Sequence, residues 1–210
     1  MANHEVDGIL LPDAVAGHPA LELANTRAGW GTVQPREYLV SYDAFALWAR
    51  ESQLLTAQET RALRRESCKG PTQIRAARRA LSEVRALRSV FYDVVTAPSR
   101  GEAMPTDQLS HLSTALRRAD SVSRLVMRQD GRVLADGGDL ERSGLMLPVH
   151  RAAITVGTLL ADGQAQNVGA CAGRGCGWLF LDAGHRRRWC VMAICGNRSK
   201  ARAFAARRQD

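Results

Sequence analysis

The stretch that decides this chain reads Cys171-Ala-Gly-Arg-Gly-Cys176, then Gly177-Trp-Leu-Phe-Leu-Asp182, then Arg186-Arg-Arg-Trp-Cys190, and closes on Val191-Met-Ala-Ile-Cys195-Gly-Asn-Arg198. Each cysteine pair encloses four residues, and thirteen residues separate the two pairs. Two short loops that each offer a pair of thiolates meet the tetrahedral preference of zinc without a continuous scaffold. Gly173, Gly175, Gly177 and Gly196 lie in or beside those loops, where turns toward a metal need permissive dihedrals. The expectation is one structural zinc ion held by Cys171, Cys176, Cys190 and Cys195. His185 is the competing donor, but four thiolates already close the shell, so it reads as solvent-facing or phosphate-contacting.

Charge gathers on the same stretch. From Cys171 to Asp210 eight arginines and one lysine oppose only Asp182 and Asp210, which places +7 of the chain's +8 here. Arg186, Arg187 and Arg188 are adjacent and cannot all point into a core, so some face solvent or phosphate. After Cys195, Asn197 is positioned to cap a helix running from Arg198 towards Arg208. Ala201, Phe204 and Ala205 form its expected inward stripe, leaving Arg198, Lys200, Arg202 and Arg207 on the exposed arc. Trp178-Leu-Phe-Leu181 is too apolar for a loop and reads as a strand or a small packed core over the metal. A short basic helix fixed to a zinc knuckle suits a DNA groove or a phosphate track.

Upstream, the charge is nearly balanced, and the chain of 210 residues, 45% hydrophobic, divides by composition near residue 170. Residues 1–165 are long enough to bury a core unaided, whereas a segment of about 40 residues needs a staple. The fold class expected is a mainly α-helical body with one small β-hairpin at 1–165, followed by a small zinc-stapled module at 166–210 with a short strand, knuckles and the basic helix. Ala20 to Asn25 forms a short helix, Ser41 caps a second one through Glu51, and Thr56 with Glu59 makes a capping box for a third. A long amphipathic helix spans 72–96, and Thr106 opens another through Ala119. The hairpin is expected at 123–128 and 132–135 through Asp130-Gly131. The span 140–160 reads as a last helix, with Pro148 kinking it or starting its second half. The first dozen residues read as irregular. His18, Glu22 and Asn25 lie at helical spacing as candidates to line a small-molecule pocket, against the plainer reading of capping and buried hydrogen bonds. Cys68, apart from the cluster, reads as a structural free thiol.

No basic segment leads into an apolar core and a cleavage site at the amino terminus, and no run approaches 18 apolar residues, so the expectation is a cytoplasmic protein that does not enter a membrane. Paired cysteines in a reducing compartment bind metal rather than form disulfides. A closed four-thiolate shell, with no HExxH, GxSxG or glycine-rich phosphate loop, points away from an enzyme.

The segments Cys171-x4-Cys-Gly-Trp-Leu-Phe-Leu-Asp182 and Arg-Arg-Trp-Cys190-x-Met-x-x-Cys195-Gly-Asn-Arg198-x-Lys200 resemble the CGNR zinc finger, whose name is the motif at 195–198. His18-Pro-Ala-Leu-Glu-Leu-Ala-Asn-Thr-Arg27 and Tyr42-Asp-Ala-Phe-Ala-Leu-Trp-Ala49 resemble the ABATE domain that accompanies it, a resemblance that implies stress-induced transcription regulation. It also implies zinc on the same four cysteines and DNA binding by the surrounding basic residues. The segment Asp182 to Trp189 departs from the family pattern, being shorter than the Ser/Asn-containing turn found there, so the path of Arg186 to Arg188 is not carried over.

The function expected is therefore that of a bacterial-type DNA-binding transcriptional regulator, nucleoid-associated when bound to DNA, whose body forms a homodimer or senses a small-molecule effector. The alternative is a zinc-stabilised module that binds RNA, protein or polyanions without sequence specificity.

Overall fold

The computed structural model describes residues 2–103, 105–127, 131 and 133–208. Along the chain run β1 (Asn3–Val6), β2 (Ile9–Pro12), α1 (Pro19–Asn25), β3 (Arg27–Ala28) and β4 (Arg36–Glu37), then α2 (Tyr42–Glu51), α3 (Ala57–Ser67), α4 (Pro71–Thr96) and α5 (Thr106–Asp120). There follow β5 (Leu125–Met127), β6 (Val133–Ala135), α6 (Leu140–Ser143), α7 (Leu147–Ala161), β7 (Val168–Ala170), β8 (Leu179–Leu181) and α8 (Asn197–Ala206). The architecture is mainly helical, and the described residues form four two-stranded antiparallel sheets pairing β1 with β2, β3 with β4, β5 with β6 and β7 with β8.

Packing divides the chain into two units, one made of residues 1–38 together with 166–210 and the other of Leu39–Ala165. The sequence-based division into 1–165 and 166–210 places the first 38 residues elsewhere. They belong with the cysteine module, because the contacts that tie them to it connect residues too far apart in sequence to show as a composition change.

In the first unit, the opening residues form a hairpin rather than an irregular tail. Val6 pairs with Ile9 across Asp7 and Gly8, at φ 51° and 75°, the left-handed pair that a two-residue type I′ turn requires. The Asp-Gly signal sits in plain sequence. His18 caps α1 by accepting from the Ala20 N–H at 3.2 Å, and Pro19 fits the first turn, where its missing donor costs nothing. The core of this unit comprises Ala2, Ala28, Tyr38, Trp178, Phe180 and the four clustered cysteines.

The second unit is a helical bundle whose local signals hold. Ser41 caps α2 by accepting from Ala44 N–H at 3.1 Å, and Thr56 with Glu59 forms the expected capping box on α3. On α4, Ala77, Ala80, Val84, Leu87, Phe91, Val94 and Val95 are buried at three- and four-residue intervals. Pro148 lies in the first turn of α7, so it starts that helix and does not kink it. The span Leu140–Ala161 is long and apolar enough by composition to cross a bilayer, and in the bundle its α7 part buries Leu147, Val149, Ala152, Ala153, Val156 and Leu159. The β5–β6 pair is present, while the turn expected at Asp130 lies outside the described residues.

Arg151 locks the bundle. All five of its N–H donors are used: on Asp136 O and Leu54 O at 2.8 Å, on Gly138 O at 3.1 Å, and on both Glu59 carboxylate oxygens at 2.8 and 2.9 Å. Burial alone would raise the Glu59 carboxyl, but Arg151 and the Thr56 N–H outweigh it and hold it below the usual range.

Candidate metal centre

The four cysteines meet at one point, each carried by a different local device. Cys171 follows β7, whose Gly169 must lack a side chain because a Cβ there would strike the Phe180 ring at 2.6 Å. Cys176 sits between Gly175 and Gly177, at φ 72° and 71°, a reversal that a non-glycine residue would strain. Cys190 opens the second loop, and Cys195 lies in a π-turn, Met192–Gly196, that runs into α8. All four side chains are buried, and their sulfurs lie within 4.8 Å of one another.

That spacing is the spacing of a zinc cage. Four sulfurs at about 2.3 Å from a tetrahedral zinc are about 3.8 Å apart, and the Cys176–Cys190 and Cys190–Cys195 sulfurs stand 3.6 Å apart. Among themselves the thiols resist ionising together. Hydrogen bonds from Cys176 and Cys190 bring Cys171 down to about 2, while Cys171, with burial, pushes Cys176 up to about 12, and Cys171 and Cys176 together push Cys190 further up. A dication is what allows four thiolates to share one cage. The Gly173 N–H donates to Cys171 Sγ at 3.4 Å, a bond that favours the thiolate. With four ligands in place the shell is closed.

The amino-terminal segment braces this cage. The Gly29 N–H donates to Cys176 O at 2.9 Å, and Leu181 N–H to Ala16 O at 2.9 Å. Asn25 donates to Leu179 O at 2.9 Å and accepts from Leu179 N–H at 2.8 Å. Glu22 accepts from Ala16 N–H at 2.6 Å and Gly17 N–H at 3.3 Å, although burial still leaves its carboxyl above the usual range. His18, Glu22 and Asn25 are thus engaged with backbone groups, the capping and buried hydrogen bonds of the plainer reading, and none of them lines the cavities found in Leu39–Ala165. Trp178 and Phe180 are fully buried, so they pack over the cage instead of stacking on bases.

The basic residues separate into two kinds. Arg187, although exposed like its neighbours, is tied to the fold: its guanidinium donates to Val15 O at 2.8 Å, to Trp189 O at 3.1 Å and to Cys190 O, and it stacks on the Phe180 ring at 4.3 Å. Arg186, Arg188, Arg198, Lys200, Arg202 and Arg207 are exposed. Arg188 lies over Trp189 at 4.9 Å, and Arg207 donates back to Ala203 O at 3.2 Å. Arg174, exposed inside the first cysteine loop, belongs with them and was missed because it stands alone between glycines. His185, at φ 49°, turns the loop that begins at Asp182, its N–H donating to Asp182 O at 3.0 Å. Asp182 is the one acid among described residues 171–208. Slight desolvation raises its carboxyl, but the N–H groups of Arg187 and Arg186 outweigh this and hold it below the usual range.

Helix α8 departs from its expected form. Asn197 does not cap it; its side-chain amide donates to Ala193 O at 3.1 Å, tying the helix to the π-turn. No residue of α8 is buried, so Ala201, Phe204 and Ala205 make no inward stripe and Phe204 is 58% exposed. A Cβ at Gly196, just before it, would meet the Met192 sulfur, so a side chain there requires the exposed Met192 to swing aside.

The model of the CGNR zinc finger matches residues 167–208, and the ABATE model, described as "Putative stress-induced transcription regulator", matches residues 17–163. No curated protein matches the chain. The two matches meet between residues 163 and 167, although the residues that brace the metal cage, Asn25 and Gly29 among them, fall within the first.

Proposed function

Since this chain belongs to the ABATE family and carries a CGNR zinc finger with one structural zinc site, we propose that it is a DNA-binding transcriptional regulator that contacts DNA through the exposed basic residues of the finger. The observation that carries this reading is α8. It begins without a side-chain cap or an acidic first turn, sets Arg198 and Lys200 where the helix dipole disfavours cations, and buries nothing. Each feature is unfavourable for an isolated helix and favourable for one that meets a polyanion. Arg174, Arg186 and Arg188 extend the same chemistry along the cysteine loops. The closed thiolate shell leaves the metal no open position for a substrate, so zinc serves the frame and the reading includes no reaction. A cytoplasmic protein, nucleoid-associated when bound, follows from the same role. A homodimer would multiply two weak half-site contacts.

The test is a comparison of zinc-loaded full chain on duplex DNA, structured RNA and heparin at matched salt, followed by selection of bound sequences from genomic fragments. Preference for duplex DNA with enriched sites supports the regulator. Equal binding to all three would instead establish a sequence-blind polyanion module.

A further inference from the structure

Helices α3 and α4 of the second unit face each other across a groove of about 790 Å³, within the range of small-molecule sites, roughly 300 to 1,000 Å³. Each helix offers one stripe at i, i+3, i+4, i+7 spacing. From α3 come Arg61, Arg64 and Arg65 with Cys68 at its end; from α4 come Ile74, Ala77, Arg78 and Leu81. Val40 and the start of α2, Ser41 to Asp43, complete the wall. The groove is therefore lined by the apolar Val40, Ile74, Ala77 and Leu81 together with four guanidinium groups.

The four charges are unequal in engagement. Arg64 pairs with Asp43, the groove's one acid, at 2.9 Å. Arg61, Arg65 and Arg78 are exposed and carry no ion pair or side-chain hydrogen bond among the described residues. Neither half of the groove is satisfied by the protein itself: Val40 is 63% exposed and Ile74 38% exposed, where burial would be favourable. An occupant that complements both halves is an anion with an apolar body.

We propose that this groove binds an amphiphilic organic acid, its carboxylate or phosphate held by Arg61, Arg65 and Arg78 and its apolar body lying along Val40, Ile74, Ala77 and Leu81. Arginine suits such a head group because its planar fork meets two oxygens at once. The proposal is independent of the nucleic-acid reading, since every lining residue belongs to Leu39–Ala165.

Cys68 supplies the readout. It is the exposed one of the five cysteines, stands apart from the metal cage and lines the groove, so an occupant shields it from alkylation. Zinc-loaded full chain is treated with N-ethylmaleimide in the presence of octanoate, octyl phosphate, methyl octanoate or inorganic phosphate, and affinities are measured by titration calorimetry. The expected result is that octanoate or octyl phosphate slows Cys68 alkylation at least fivefold, whichever of the two binds more tightly naming the head group, while the neutral ester and inorganic phosphate do not. In Arg61→Ala/Arg78→Ala, whose side chains have no partners to lose, affinity for the acid falls at least tenfold with the melting temperature unchanged. Equal protection by methyl octanoate would overturn the anionic part, and equal binding of inorganic phosphate the amphiphilic part. No protection by either acid would overturn the site, a result that needs no variant.

Discussion

Asn25 and Leu179 exchange two hydrogen bonds across 154 residues of sequence, the side-chain amide of one meeting the backbone of the other as a strand neighbour would. Asn25 is fully buried and Leu179 stands beside Trp178 over the metal cage, so this pair fastens the amino-terminal segment to the zinc finger. Replacing Asn25 by Ala leaves the Leu179 N–H and C=O buried without partners, a cost of about 2–4 kcal/mol. The expected outcome for Asn25→Ala is a lower melting temperature and weaker zinc retention against a chelator, although no metal ligand has changed. Asn25→Asp, which keeps the acceptor and loses the donor, should lie on the same side.

Removal of the metal acts on one unit. Cys190→Ser leaves three thiolates and no closed shell, and zinc binding in such a module is folding free energy. Zinc content should fall and the near-ultraviolet signal of the buried Trp178 should collapse. Far-ultraviolet helicity should fall little, because α2 to α7 lie in Leu39–Ala165.

Arg187 and Arg186 are neighbours with opposite expected phenotypes. Arg187→Ala removes three carbonyl contacts and a ring stack, and should destabilise the finger by about 1–3 kcal/mol. Arg187→Lys should not restore it, because a single ammonium cannot reproduce the fork. Arg186→Ala should leave stability within about 0.5 kcal/mol and weaken only nucleic-acid binding. Melting curves and binding isotherms on the same preparations separate the two.

Glu59 links α3 to Arg151 over 92 residues, and its carboxyl lies below the usual range in the folded protein. A carboxyl with a lowered folded-state pKa stabilises the fold above its unfolded value, near 4.3, and loses that contribution as pH falls through the folded value. Glu59→Gln should destabilise the bundle at pH 7 by about 2–4 kcal/mol, since it leaves Arg151 half-buried and uncompensated. The difference between variant and parent should shrink as the pH is lowered below about 4, which acid titration of thermal stability measures.

Local signals in this chain were legible, and distant ones were not. Each Cys-x4-Cys pair, the Ser41 cap and the Thr56–Glu59 box depend on residues within five positions of one another, and each stands as read. The Asp7-Gly8 turn is equally local, but the residues around it are mixed in polarity and show no strand alternation to flank it. Arg187 looked like its two neighbours because nothing in a run of arginines tells which one folds back onto Val15 O and the Phe180 ring. The role of Asn25 depends on a partner 154 residues away, which leaves no periodicity to detect, and α8 keeps the ordinary amphipathic spacing of a packed helix although no residue of it is buried. For the same reason the groove between α3 and α4 is invisible in the sequence: its two stripes are ordinary amphipathic helix faces until they are set opposite one another.

The central claim, that the zinc-held finger presents α8 to DNA, is tested most directly by the salt dependence of duplex binding. Zinc-loaded parent chain and Arg198→Ala/Lys200→Ala/Arg202→Ala are titrated onto labelled duplex at several salt concentrations, with zinc content and melting temperature recorded for both. The parent should show log affinity falling linearly with log salt at about 0.9 per phosphate contacted, and the variant should lose about 2–3 from that slope and at least tenfold in affinity while keeping its zinc. The same affinity and slope in the two proteins would contradict the account.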